Sequence, residues 1–466
     1  MADADVAVVG AGIVGCAVAR RFALEGARVV LIERGADILS GASKANSAIL
    51  HTGFDAPPDS LELACMREGR GEYLAIRDRF NLPLLETGAI VTAWTEAQEG
   101  QLDAIAAKAA TNGVPVERLG KADLRRLEPG LGEAARAGLR VAGEDVIDPW
   151  SPALAYVLQA MTHGARVLRG EEVRAGHFDG ALWHLTTSRR VLRARTVINC
   201  AGLYGDRLEQ ILLGHGSFEI RPRKGQFVVF DKAAAALLRH IILPVPTART
   251  KGVVICRTAF GNVLVGPTAE EQEDRDHPAT DAATLRALLA EAARMVPALA
   301  QVPVTATYAG LRPATEESAY RIRHEPLRNW ITLGGIRSTG LTAALGLAAH
   351  AFRLYSGDGP AHDPVADPVW PRMPMLAEDG ARDWQRPGYE EIVCHCEMVT
   401  RREIEAALAS ALPPGNLGGL RRRTRAAMGR CQGFNCLGRI AALTAGRLDP
   451  PLACGTGGEA GRGGDG

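Results

Sequence analysis

Residues 5–34 read DVAVVGAGIVGCAVARRFALEGARVVLIER and begin with a valine-rich apolar run over residues 6–9. A glycine-rich turn follows, then a stretch with the apolar spacing of a helix, then a second valine-rich run that ends at Glu33. A strand, a tight turn, a helix and another strand in this order form the βαβ unit of a parallel sheet. The N-terminal part of the chain is therefore predicted to adopt an α/β fold.

The turn in this unit has the spacing GxGxxG, formed by Gly10, Gly12 and Gly15. The first glycine permits the tight turn, the second lets the backbone approach a pyrophosphate, and the third lets helix and strand pack closely. Glu33 ends the second strand, where a carboxylate accepts hydrogen bonds from a ribose diol. The motif in this context predicts a Rossmann-type dinucleotide-binding domain, but it does not distinguish NAD from FAD.

Charge and composition exclude several classes of partner. The 466 residues include 54 basic and 53 acidic side chains, so we expect no nucleic-acid partner. Apolar stretches such as residues 341–349 are too short to span a bilayer, and the first strand leaves no room for a secretory signal. Nine cysteines, an odd number, fit a reducing compartment. We expect a cytoplasmic protein that reaches the inner membrane face only through a partner.

Further motifs resemble one superfamily of flavoproteins. VINCAG at residues 197–202, GGIRSTGLT at 334–342 and SKANSAILHTGFD at 43–55 resemble FAD-dependent oxidoreductases related to D-amino-acid oxidase and glycerol-3-phosphate dehydrogenase. RPRKGQF at 221–227, residues 251–268 and AGLRP at 309–313 extend this resemblance over residues 5–355. One departure is Thr339, where these relatives commonly have proline.

The resemblance implies FAD as the cofactor and an α+β substrate domain inserted into the Rossmann-type domain. Residues expected to bind the cofactor are Gly10, Gly12, Gly15, Glu33, Ser43, Asn46, Ser47, Ala201, Gly202, Gly335, Gly340, Leu341 and Thr342. In this superfamily a helix that starts near Gly340 points at the flavin, and its dipole stabilises negative charge there.

Oxidation of a secondary alcohol needs a base for the hydroxyl proton, and His51 is the best candidate because histidine titrates near neutral pH. Arg312 is the leading anion ligand, since a guanidinium binds phosphate or carboxylate with two parallel hydrogen bonds. Lys251 and Arg337 are weaker candidates for substrate binding. The resemblance implies oxidation of a small anionic alcohol, foremost sn-glycerol 3-phosphate to dihydroxyacetone phosphate. Alternatives are a dehydrogenase of L-2-hydroxyglutarate or another 2-hydroxy or amino acid, and a non-catalytic redox module.

Four cysteines cluster near the C-terminus, with Cys394 and Cys396 in a CxC pair and Cys431 and Cys436 in a CxxxxC pair. Four thiolates can hold zinc or an iron–sulfur cluster. The pairs and their surroundings resemble the [2Fe-2S] domain of bacterioferritin-associated ferredoxin and the C-terminal domain of the large subunit of anaerobic glycerol-3-phosphate dehydrogenases. The resemblance implies a [2Fe-2S] cluster that passes electrons to a quinone by way of a partner subunit.

Composition along the chain predicts the domain organisation. Residues 1–355 are expected to form the FAD-dependent oxidoreductase, in which the FAD-binding part is discontinuous. The proline-rich residues 356–388 are expected to be a linker, and residues 389–450 a small helical iron–sulfur domain. The glycine-rich residues 451–466 cannot bury a core and are predicted to be disordered.

Overall fold

A computed structural model describes residues 2–246, 252–359 and 361–452 of the chain. The chain divides between Arg382 and Asp383 into two compact units. None of the helices in these described ranges is long and apolar enough to cross a membrane. Of the tail predicted to be disordered, residues 453–466 lie outside the described part.

The strands and helices of both units are numbered here in chain order. The strands are β1 (Ala4–Val9), β2 (Val29–Glu33), β3 (Ile49–Leu50), β4 (Leu84–Leu85), β5 (Ala89–Ala93), β6 (Glu117–Leu119), β7 (Ala137–Val141), β8 (Asp145–Ile147), β9 (Arg166–Arg169), β10 (Val173–Phe178), β11 (Trp183–Thr187), β12 (Val191–Asn199), β13 (Arg223–Phe230), β14 (Ile241–Pro244), β15 (Val254–Arg257), β16 (Val263–Gly266), β17 (Glu270–Glu271), β18 (Val304–Arg312), β19 (Arg321–Glu325), β20 (Trp330–Gly334), β21 (Ile392–Cys394) and β22 (Val399–Thr400). The α-helices are α1 (Ile13–Leu24), α2 (Leu61–Phe80), α3 (Glu96–Glu99), α4 (Leu102–Thr111), α5 (Lys121–Leu127), α6 (Ser151–Thr162), α7 (Gly205–Leu213), α8 (Ala282–Met295), α9 (Gly340–Asp358), α10 (Arg401–Ala409), α11 (Leu417–Thr424) and α12 (Leu437–Leu443).

A parallel sheet in the order β9-β2-β1-β12-β20 organises the first unit. Its central strand β1 is buried along its whole length, which is why residues 6–9 form a continuous apolar run without alternation. Helices α1 and α9 pack against each other, and α9 also packs on α2. The antiparallel strands β10, β11 and β19 extend the edges. This arrangement confirms the prediction of a Rossmann-type domain.

A second, mixed sheet forms the inserted α+β part. Its strands follow the order β17-β13-β16-β15-β14-β5-β7-β6, and β18 also pairs with β13. All of these strands come from the chain between β2 and β19, so the sheet interrupts the parallel one in sequence. Helix α8 covers one face, where Leu288 and Met295 are buried with Val228 and Phe230. The predicted inserted α+β part is therefore present.

The proline-rich segment was predicted to be a linker, but most of it belongs to the first unit. Helix α9 continues to Asp358, and residues 361–382 pack on the rest of this unit. The amide of Val365 donates to the Leu24 carbonyl at 2.8 Å, and that of Met373 to the Phe80 carbonyl at 2.8 Å. Leu376 is 1% exposed. Proline breaks regular elements but does not prevent an extended chain from burying apolar side chains between the prolines.

The second unit is small and largely helical, as expected. Strands β21 and β22 form a hairpin, and Thr400 then begins α10 with a capping box completed by Glu403. Its core includes Val399, Ile404, Leu420 and Ile440 together with the buried Cys394 and Cys436.

Candidate functional site

A cavity of about 1180 Å³ lies in the first unit, between the parallel sheet and the second sheet. Most of the residues predicted to bind the cofactor border it. They are Gly10, Gly12, Glu33, Ser43, Asn46, Ser47, Ala201, Gly202, Gly335, Gly340 and Leu341. The cavity continues to His51, Arg312 and Arg337, so one space joins the predicted cofactor and substrate positions.

The glycines at the first turn are required by close approaches of the backbone. Gly10 has φ +104°, and a Cβ there would lie 2.5 Å from the carbonyl oxygen of Cys200. A Cβ on Gly15 would lie 1.9 Å from the carbonyl oxygen of Gly10. Gly10 therefore lets β1 and β12 meet at the cavity, whereas Gly15 packs helix against strand and does not border the cavity.

Glu33 is 8% exposed and organises the turn as well as facing the cavity. Its Oε2 accepts from the amide of Ala11 at 2.8 Å, and its Oε1 from the amide of Gly35 at 2.7 Å. Burial raises the pKa of this carboxyl group, against these two hydrogen bonds. A carboxylate has about four acceptor sites, so hydroxyl groups of a ribose can still bind.

The segment that begins with the short helical turn at residues 42–44 links the cavity wall to α9. Ser43 Oγ accepts from the amide of Ile13 at the start of α1, at 3.1 Å. Thr342, in the first turn of α9, accepts from the amide of His51 at 3.0 Å and does not itself border the cavity. Thr339 is buried and donates to Glu62 at 2.8 Å. A threonine here thus has hydrogen-bond partners that the proline of the relatives could not use.

His51 is held by a residue that the sequence analysis missed. Its Nδ1 lies 2.8 Å from Oε2 of Glu144, and its side chain remains 23% exposed on the cavity side. Glu144 is completely buried, and its Oε1 accepts from the amide of Thr52 at 2.5 Å and from Thr52 Oγ1 at 2.7 Å. Glu144 comes from the turn between β7 and β8, 93 residues away, and no sequence motif surrounds it.

Arg312 lies among positive charges. Its guanidinium donates to the carbonyl of Thr268 at 3.2 and 3.3 Å, and we find no carboxylate paired with it in residues 2–246, 252–359 or 361–452. Arg223 stands directly opposite on the neighbouring strand, and Arg337 is also close. Burial, then the charges of Arg223 and Arg337, lower the pKa of Arg312 to about 10.

The other residues predicted to bind substrate are less directly tied to the cavity than Arg312. Arg337 borders the cavity and donates to the Ser318 carbonyl at 2.7 Å. Lys251 lies outside the described residues. Arg223, which belongs to the RPRKGQF motif, borders the cavity and pairs with Glu271 at 2.6 Å.

The four clustered cysteines come together in the second unit. Cys394 and Cys436 lie within hydrogen-bond reach of each other, as do Cys396 and Cys431. The amides of Asn435, Gly433 and Phe434 point at Cys431, and these hydrogen bonds lower the pKa of its thiol. In the described part of the chain no three His, Cys, Asp or Glu side chains converge as a single metal ion requires. Thiols in two pairs fit a cluster with two irons, each bound by two thiolates, and amides aimed at a ligand sulfur are typical of such sites.

The other cysteines of the described ranges are small buried residues. Cys16, Cys65, Cys200 and Cys256 are buried, and burial raises the pKa of each thiol. Cys454 is outside the described ranges.

Comparison with known families and proteins gives two family matches. The family described as FAD dependent oxidoreductase matches residues 5–354. The family described as BFD-like [2Fe-2S] binding domain matches residues 392–445, around all four clustered cysteines. The two matches leave residues 355–391 between them.

Similar proteins span both units. The chain is 28% identical over 454 residues to a glycerol 3-phosphate dehydrogenase of Caloramator mitchellensis, covering 95% of this chain and 94% of that protein. It is 26% identical over 495 residues to an anaerobic glycerol-3-phosphate dehydrogenase subunit of Escherichia coli K12, covering 95% and 88%. Among solved structures, the dithionite-reduced L-alpha-glycerophosphate oxidase from Mycoplasma pneumoniae with FAD bound has a TM-score of 0.69 at 26% identity, covering 79% of this chain and 99% of that one.

Proposed function

The chain belongs to the FAD dependent oxidoreductase family, and on this premise we propose that it oxidises sn-glycerol 3-phosphate to dihydroxyacetone phosphate. The relatives that span both units, a glycerol 3-phosphate dehydrogenase and one subunit of an anaerobic glycerol-3-phosphate dehydrogenase, support this choice of substrate.

The observation that carries the proposal is the group of three arginines at the cavity. Arg223 and Arg312 are direct neighbours across two strands, and like charges in that position destabilise a sheet. The partly buried guanidinium of Arg312 also loses hydration without gaining a carboxylate partner among the described residues. A doubly charged phosphate would compensate both costs, and one carboxylate would compensate them less completely.

The side chains supply the proton chemistry and the orientation. The arginines would hold the phosphate group, which places the secondary hydroxyl of the substrate toward His51. The hydroxyl proton would pass to His51 as the carbon-bound hydrogen leaves with its electron pair and the C–O bond becomes a carbonyl. FAD, when bound along Gly10, Gly12 and Glu33, supplies the acceptor for that hydride. His51 would then return its proton to solvent.

The second unit would carry the electrons away. We propose that the cysteine pairs hold a [2Fe-2S] cluster that passes electrons one at a time to a quinone by way of a partner subunit. This route would place the enzyme at the inner face of a membrane through its partner. The similarity to a protein named as one subunit of an enzyme supports the existence of such a partner.

The test is bleaching of the flavin absorbance under anaerobic conditions. The purified protein would be mixed with sn-glycerol 3-phosphate, L-2-hydroxyglutarate, other 2-hydroxy acids, amino acids and glycerol. We expect rapid bleaching by sn-glycerol 3-phosphate and formation of dihydroxyacetone phosphate in equal amount. Faster bleaching by a carboxylate substrate would replace the proposed substrate, and no bleaching by any of them would favour a non-catalytic redox module.

A further inference from the structure

The contact between His51 and Glu144 fixes the orientation of the histidine ring. Glu144 Oε2 lies 2.8 Å from His51 Nδ1, and the carboxylate has no exposed surface. Its other oxygen binds both the amide and the hydroxyl of Thr52, the residue that follows His51. Glu144 therefore fixes the histidine ring and the backbone beside it at the same time, yet Glu144 itself does not border the cavity.

A buried carboxylate beside a ring nitrogen decides which nitrogen carries the proton. An ionised carboxylate only accepts hydrogen bonds, so Nδ1 must be the protonated nitrogen of the neutral ring. The lone pair is then on Nε2, the nitrogen left for the cavity. We propose that Glu144 is the positioning residue that sets His51 as a base toward the substrate hydroxyl. This inference rests on the proposed function, in which His51 takes the hydroxyl proton.

The carboxylate also acts through its charge. When Nε2 accepts the hydroxyl proton, the ring becomes a cation, and a buried anion at Nδ1 stabilises that cation. The other charged groups nearby belong to Arg70 of α2, which donates to the Gly143 carbonyl at 3.0 Å and lies 3.5 Å from Asp145, and to Glu86. Burial, followed by Glu86 and Glu144 among other influences, raises the pKa of Asp145. Among these groups, the geometry places Glu144 against the imidazole itself.

The first test is Glu144→Gln in the full-length protein loaded with FAD. Glutamine can still accept from Thr52, but its amide donates to Nδ1 and favours the tautomer with Nε2 protonated, so only the minor tautomer of His51 can act as a base. We expect the rate of flavin bleaching to fall by about 10²- to 10⁴-fold with little change in KM. The acidic limb of the remaining activity should move to lower pH, because the imidazolium has lost its counter-charge.

The chain offers a matched control in the pair His240 and Glu128. His240 Nδ1 lies 2.7 Å from Glu128 Oε1, Glu128 is 1% exposed, and neither residue borders the cavity. Glu128→Gln makes the same chemical change at the same kind of contact. We expect it to leave the rate and the pH profile as in the unmodified protein, even where it lowers the melting temperature.

A double variant separates positioning from general support of the structure. If Glu144 acts through His51, then Glu144→Gln added to His51→Asn should lower the bleaching rate by less than about threefold. A further large fall in that background would overturn the proposal. The proposal would also be overturned if the single variant Glu144→Gln bleached the flavin within about threefold of the rate of the unmodified protein and kept the acidic limb of its pH profile at the same pH.

Nitrogen NMR of the substrate-free protein, with ¹⁵N-labelled histidine, gives a readout that does not depend on turnover. We expect the His51 signals, assigned by their loss in His51→Asn, to show Nδ1 protonated in the unmodified protein and Nε2 protonated in Glu144→Gln. Unchanged signals would refute the role of Glu144, whatever the substrate. The expected signals in a protein that does not oxidise sn-glycerol 3-phosphate would instead refute the proposed function and leave the positioning of His51 standing.

Discussion

At the scale of single residues, Arg312 shows what the proposed anion site costs the folded protein. Its pKa is lowered to about 10 because the guanidinium is partly buried and lies near Arg223 and Arg337. A cation with a lowered pKa in the folded state destabilises the fold at every pH below about 10, and this cost disappears as the pH rises from there toward the ordinary pKa of arginine. The shift corresponds to roughly 3 kcal/mol at neutral pH.

Arg312→Met should therefore raise the free energy of unfolding while it removes substrate binding. Removal of the cation would recover the roughly 3 kcal/mol that the lowered pKa represents, whereas about 1–2 kcal/mol would be lost because the Thr268 carbonyl loses its donors. We therefore expect the free energy of unfolding to rise by about 1 kcal/mol or more at pH 7. Urea titration measures the gain, and KM for sn-glycerol 3-phosphate should rise steeply. Inorganic phosphate should stabilise the unmodified protein and not the variant. A destabilised variant that still responds to phosphate would contradict this account.

His51→Asn tests the base itself. Asparagine keeps a similar shape and polarity but cannot take up a proton near pH 7, so only proton transfer is removed. We expect flavin bleaching to slow by about 10²- to 10⁴-fold, and the acidic limb of the rate profile to disappear. FAD absorbance and iron content should be those of the unmodified protein. Retention of the acidic limb would mean that another group accepts the proton.

Single residues were predictable where the motif is local. Gly10 and Glu33 belong to one βαβ unit, and short-range sterics fix what each must do. Glu144 could not be found in this way, because the turn between β7 and β8 reaches His51 only after β3 and β8 have paired. The neighbourhood of Arg223 and Arg312 could not be predicted either, since it follows from the register of β13 and β18, which the sequence does not reveal.

At the scale of elements, the regular strands and helices of the Rossmann-type domain were expected, whereas the packing of residues 361–382 was not. The prolines indicated a linker correctly in the limited sense that no helix or strand forms there. They carry no information on Met373 and Leu376, which are buried, nor on Trp370, whose ring lies 4.9 Å from that of Phe80. Tertiary contacts determine whether such a segment packs on the domain or forms a free linker.

Two shortened chains test this segment. A chain that ends at Arg382 should keep FAD and unfold cooperatively, whereas one that ends at Tyr355 should lose several kcal/mol, since burial of each large apolar side chain contributes about 1.5–3 kcal/mol. The total stability of a protein is roughly 5–15 kcal/mol, so a loss of this size is a large part of it. We therefore expect the chain that ends at Tyr355 to release FAD at a distinctly lower temperature. Thermal unfolding followed by flavin fluorescence measures the difference. Equal melting temperatures would show that residues 356–382 are a linker after all.

At the scale of the whole molecule, the chain joins two units with different electron chemistry. The first unit belongs to a family that uses FAD, which takes up two electrons as a hydride, and the second matches a domain that holds a [2Fe-2S] cluster. A cluster of this kind exchanges single electrons, and this difference underlies the proposed delivery of electrons to another protein. Each unit has its own buried core, and the ligands expected for one cofactor do not include residues of the other unit.

Loss of one cofactor should therefore leave the other in place. Cys431→Ser removes a thiolate whose position is set by three backbone amides, and serine is a poor ligand for iron. We expect iron and acid-labile sulfide to fall from about two each per chain to near zero, while FAD content and anaerobic bleaching by substrate stay unchanged. Electron delivery to a one-electron acceptor should slow. Stoichiometric zinc without sulfide in the unmodified protein would exclude the cluster, and loss of FAD along with the iron would show that the two units do not hold their cofactors independently.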